Sequence, residues 1–106
     1  MVEFLYWEGC PSHPEALLLL HEVLAELDRD DEIQIVEVLS EEDARRLAFP
    51  GSPTIRVDGA DIVDPGDEPA ALTCRVFHRR DGRVSPTPDP DDVRDALRQA
   101  LTRRSP

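Results

Sequence analysis

The segment from residue 2 to residue 39 constrains the fold most, because it reads as strand, helix, strand with almost no slack between the elements. "VEFLYW" at 2 to 7 is aromatic and apolar and predicts a buried strand, which Gly9 and Pro11 cut off. From Glu15 to Asp28, Leu17, Leu20, Leu24 and Leu27 recur at three- and four-residue spacing with charged residues between them, the pattern of an amphipathic helix. Ser12 and Glu15 form an S-x-x-E capping pattern, and Pro14 falls within the first turn, where a proline is tolerated. "EIQIVEVL" at 32 to 39 alternates and is β-branched, so it predicts a second strand. Two strands joined through one helix lie parallel, with a right-handed crossover.

Downstream, Ser40 to Asp43 is a second capping pattern, opening a short helix through Leu47 that Pro50 and Gly51 end. "SPTIRVDGADIV" at 52 to 63 places two short β-branched runs on either side of Asp58-Gly59, a strong two-residue hairpin signal. Residues 72 to 78, "LTCRVFH", are a candidate further extended segment, with Asp81-Gly82 as a second turn. A last helix follows from Asp89 as N-cap, Pro90 at the first helical position, and Val93, Ala96, Leu97, Ala100 and Leu101 on one face. The expected order is β-α-β-α-β-β-α: an α/β chain with a central mixed four-stranded sheet and three helices, forming one domain over residues 1–106.

Composition narrows the partners. A formal charge of -11 disfavours phosphate backbones and anionic membranes, since a binder of either needs a basic face to displace counterions. Neither nucleic acid nor membrane is expected. No basic leader or long apolar stretch follows Met1, which gives a cytoplasmic expectation. The two cysteines, Cys10 and Cys74, are too few for a disulfide scaffold and lack zinc-finger spacing, and His21 and His78 lack the spacing of a metal site, so no metal is expected.

Cys10 stands between the first strand and the first helix, in "WEGCPSH". A thiolate at a helix N-terminus is stabilised by free backbone N–H groups and the helix dipole, so an accessible Cys10 with a lowered pKa is expected. The strength of the effect depends on the helix start: Pro11 at the first helical position exposes Cys10 fully to the dipole, whereas a start at Ser12 leaves it two residues outside. An imidazolium at His13 favours the anion, whereas a solvent-facing first-turn histidine does not. The alternative for Cys10 itself is a buried, inert thiol filling a turn.

"WEGCP" and "GSPT" at 51 to 54 together resemble the thioredoxin superfamily, in particular small bacterial thioredoxin-like proteins with "GCP" and "GSPTI" motifs. The resemblance covers the whole chain in element order and implies a thioredoxin-like fold with Cys10 as nucleophile and a cis-proline at Pro53. It implies that Ser52 offers its backbone N–H and C=O to an extended substrate, with Pro11, Ser12, Pro53 and Thr54 completing the substrate contacts. One departure stands out. In the family's C-x-x-C the second cysteine resolves the mixed disulfide, and His13 occupies that place here. The catalytic candidates are therefore Cys10, His13 and, as a remote second thiol, Cys74.

If Ile62-Val63 is the fourth strand, the following segment begins near Cys10 and a Cys10–Cys74 disulfide is possible. If "TCRVF" is the fourth strand, the two lie beyond the Cα separation limit of roughly 7 Å. With no local resolving thiol, the expected oxidation product is a Cys10 adduct with a small thiol, Cys74 remaining reduced. The implied activity is thiol–disulfide exchange of single-cysteine type, with no bound cofactor and a low-molecular-weight thiol as co-substrate. Its partners are a disulfide-containing protein or a small-thiol mixed disulfide. The alternative is a catalytically silent module of the same fold that holds a protein partner or a soft metal.

Overall fold

The computed structural model describes residues 1–102. Its elements are β1 (Val2–Tyr6), α1 (His13–Glu26), β2 (Ile33–Glu37), α2 (Glu41–Arg46), β3 (Thr54–Val57), β4 (Ala60–Asp61), β5 (Phe77–His78), β6 (Val84–Ser85) and α3 (Pro90–Thr102). Four strands form a mixed sheet in the order β2-β1-β3-β4. Strand β1 runs parallel to β2, from Val2 opposite Ile33 to Tyr6 opposite Glu37, and antiparallel to β3, from Val2 opposite Val57 to Leu5 opposite Thr54.

The alternation of side chains along β1 explains why it sits centrally. Val2 and Phe4 join Leu20, Val23, Leu24, Val93 and Leu97 in a core beneath α1 and α3, while Leu5 packs with Val38, Ala44 and Phe49 beneath α2. Both faces of the strand are thus covered, as its unbroken apolar run requires. The hairpin between β3 and β4 turns through Asp58 and Gly59, at φ 52° and 86°, the conformation that an Asp-Gly pair adopts readily.

Helix ends follow the sequence unevenly. Ser40 caps α2 through its hydroxyl, which accepts from the Asp43 N–H at 3.1 Å. Asp89 accepts from the Asp91 N–H at 2.9 Å at the start of α3. The Ser12 capping pattern does not form: Ser12 is the N-cap residue of α1 but has helical backbone angles and no side-chain cap. An N-cap hydroxyl reaches back to the helix from extended backbone angles, and that of Ser12 points elsewhere.

The expected seven-element order also omits a ribbon. Strands β5 and β6 form a separate two-stranded hairpin between β4 and α3, tied to that helix by Arg80, whose guanidinium lies 2.7 Å from Asp92 and 2.8 Å from Asp95. Among the described residues no helix is long and apolar enough to cross a membrane.

Candidate functional site

The loop after β1 is anchored at both ends. The Cys10 N–H donates to the Trp7 carbonyl at 3.0 Å, closing a turn, and the Trp7 N–H donates to the Ser52 hydroxyl at 3.0 Å. Ser52 lies at the mouth of β3, and its peptide bond to Pro53 is cis. Ser52 and Thr54 are fully buried, with Pro53 between them.

Cys10 is 1% exposed, which corrects the expectation of an accessible thiol. It is not a group filling a turn among hydrocarbons, however. Its Sγ lies 3.1 Å from the Ser12 hydroxyl and donates toward the Ser52 carbonyl at 3.5 Å. Burial opposes ionisation of this thiol, but hydrogen bonds from the Ser12 side chain, the Cys74 thiol, the Ser12 backbone and Ser52 together outweigh it and hold its pKa below the ordinary value. The lowering expected from a helix N-terminus therefore arises mainly from directed hydrogen bonds, with Ser12, and not Cys10, at the helix start. His13 makes its contacts with Tyr6 and Glu8. Its ring stacks on Tyr6 with 4.5 Å between centroids, and its Nε2 lies 3.7 Å from Glu8.

The chain returns to the site from an unexpected quarter. Residues Thr73 to Arg75 run alongside Ser52 as a single parallel bridge between Ser52 and Cys74. The Ser52 N–H donates to the Thr73 carbonyl at 2.8 Å, and the Arg75 N–H donates to the Ser52 carbonyl at 2.8 Å. Both backbone groups assigned to an extended substrate are thus satisfied by the protein's own chain. The bridge brings Cys74 beside Cys10, and interaction with the Cys10 side chain, together with burial, pushes the Cys74 pKa up. The two cysteines are free thiols. The first sequence alternative is the nearer one: the second arm of the Asp58-Gly59 hairpin is the fourth strand, at Ala60–Asp61 and not Ile62-Val63, and "TCRVF" stays outside the four-stranded sheet.

Arg75 fixes the segment. Its buried guanidinium donates to Asp61 at 2.9 Å and to the Val63 carbonyl at 2.6 Å, and it lies 4.8 Å over the Phe77 ring. Asp61 is pushed up in pKa by burial, with the Arg75 charge opposing. Gly51, at φ 136°, allows the close approach: a Cβ there would stand 3.1 Å from that of Arg75. Sequence reasoning gave Gly51 only a place in the helix stop and in the "GSPT" motif, and assigned no role to Asp61, Thr73 or Arg75. The only signal was the charge of Arg75 inside an otherwise apolar run, which marks a buried cation in need of a partner.

Cys74 itself is exposed and lines an open groove of about 620 Å³, together with Pro50, Val63, Glu68 and Phe77. The site thus pairs one buried and one exposed thiol across the Ser52 peptide. No protein-family model, curated protein or solved structure matches this chain.

Proposed function

We propose that the chain is a thiol–disulfide oxidoreductase of thioredoxin-like fold, in which Cys10 acts as the attacking thiolate and Cys74 as its redox partner. The observation that carries this reading is the Ser12 hydroxyl 3.1 Å from the Cys10 sulfur with Cys74 laid beside it by the Ser52 bridge, a setting in which burial is outweighed by hydrogen bonds and the Cys10 pKa is lowered. A depressed pKa raises the thiolate fraction at neutral pH. It also makes Cys10 the better leaving group when a Cys10–Cys74 disulfide is attacked. Such exchange needs no bound cofactor, only a low-molecular-weight thiol and a disulfide-containing partner.

The single-cysteine version of the mechanism, with Cys74 reduced and remote, loses support from the Ser52–Cys74 bridge. The binding-module reading draws support from the burial of Cys10 and from the occupied Ser52 edge. Turnover separates the two. An oxidoreductase accelerates reduction of a small mixed disulfide by a thiol donor, and Cys10→Ser abolishes the acceleration; a wild-type rate equal to the uncatalysed one leaves the binding module standing.

A further inference from the structure

Access and reactivity are divided between the two thiols. Cys10 carries the groups that stabilise a thiolate but is 1% exposed, whereas Cys74 is exposed in the groove. Thiol–disulfide exchange requires in-line approach to a sulfur, so access limits an external reaction before basicity does. We propose that Cys74 is the entry thiol, that small neutral or cationic disulfides react there from within the groove, and that Cys10 attacks only the mixed disulfide carried by Cys74. This rests on the thiol–disulfide reading above, and it reverses the order in which the two cysteines meet substrate.

The steps balance. The Cys74 thiolate attacks a disulfide RSSR, forming Cys74–S–S–R and releasing RS⁻. The Cys10 thiolate then attacks the Cys74 sulfur, forming the Cys10–Cys74 disulfide and releasing the second RS⁻. RSSR is reduced by two electrons, the protein dithiol is oxidised by two, and the two thiol protons pass to solvent or to the departing thiolates. In the return direction an external low-molecular-weight thiolate attacks the exposed Cys74 sulfur and Cys10 leaves, after which a second such thiol frees Cys74.

The groove sets the substrate class. Its volume falls in the range of small-molecule sites. Its charged lining groups are Asp64 and Glu68, with His78 beside them, while the positive charge of Arg75 is taken up by Asp61. On a chain of formal charge -11, this field repels anionic disulfides and admits neutral or cationic ones.

The test uses the folded chain with cystamine as a cationic probe and oxidised glutathione as an anionic one. Cys10→Ser is expected to accumulate one cysteamine adduct on Cys74, whereas Cys74→Ser labels at Cys10 at least about tenfold more slowly, the gap closing in urea where both thiols are open. Acid-quenched wild type should show the transient adduct on Cys74 by digestion and mass spectrometry. Labelling of Cys74→Ser as fast as Cys10→Ser, or a first adduct on Cys10 in wild type, overturns the entry role while leaving the exchange reading intact. Failure of every folded form to react, with the unfolded chains reacting normally, removes both. Normalised to the unfolded chain, cystamine should react with Cys10→Ser about tenfold faster than oxidised glutathione at low salt, with the ratio falling in Glu68→Gln and at high salt. Equal rates overturn the charge preference.

Discussion

Gly51 and Arg75 cross so closely that a Cβ on residue 51 would lie 3.1 Å from the Cβ and 3.2 Å from the backbone nitrogen of Arg75. That crossing lays Cys74 beside Ser52, so Gly51→Ala should disturb the site as well as the fold. The new methyl meets both a φ of 136° and the Arg75 backbone. A loss of about 1–3 kcal/mol is expected in urea denaturation, accompanied by slower formation of the Cys10–Cys74 disulfide. A stable variant that oxidises at the wild-type rate contradicts this account of Gly51.

In the Arg75–Asp61 pair the cation is buried and the carboxylate only 11% exposed, so removing the cation leaves a largely desolvated carboxylate without its partner. Arg75→Ala should cost about 3–5 kcal/mol. Asp61 already has a raised pKa, so its contribution to stability is fully present below the unfolded value and is lost as pH rises through the folded value. Without Arg75 that pKa moves higher still, and the deficit of Arg75→Ala should shrink in acid. Adding Asp61→Asn should recover part of the loss at neutral pH. Denaturation of the wild type, Arg75→Ala and the double variant at acid and neutral pH checks both statements.

The reduced protein should show a stability maximum on the alkaline side of neutrality. Cys10 has a depressed folded pKa, so its contribution is present above the unfolded value and lost as pH falls through the folded value. Cys74 has a raised folded pKa, so its contribution is present below the unfolded value and lost as pH rises through the folded one. Cys10→Ser should flatten both limbs, because the hydrogen bond to Cys10 is the main cause of the Cys74 shift. Cys74→Ser should remove the upper limb and leave a weaker lower one, from Ser12 and Ser52. Titration of ultraviolet thiolate absorbance, set beside stability curves, reads both limbs.

Oxidation of dilute protein should give the Cys10–Cys74 disulfide and not a dimer. The closed loop spans about 60 residues, and on the chain-entropy account the cross-link should stabilise the oxidised form by about 4 kcal/mol. Denaturation with and without a reductant measures the difference. A less stable oxidised form would show that the bond distorts the bridge between Ser52 and Cys74.

What could be read in the sequence was the part governed by short-range pattern. Asp58-Gly59 announced its hairpin because two successive residues there take positive φ, and Asp89-Pro90 announced α3 because the cap and the first-turn proline are local devices. Ser12 misled for an equally local reason: its hydroxyl had two possible partners, the helix backbone and the Cys10 sulfur, and only tertiary placement of the thiol decides between them. The pairing of Cys74 with Ser52 was hidden more deeply. It is a one-residue parallel bridge across a long loop, with no periodicity to betray it, and it depends on Arg75 finding Asp61.

Because Ser52 has one N–H and one C=O, its edge admits a single strand, and Thr73–Arg75 already holds it. An extended peptide that pairs there competes with the chain itself, and its measured affinity is the difference between two strand energies. The apparent dissociation constant rises by the inverse of the fraction in which residues 73–75 have peeled away, so an open population of about 1% weakens a peptide about 100-fold. Tethering strength at Arg75, and not only the shape of the Ser52 edge, would therefore set the affinity of any strand that competes for it.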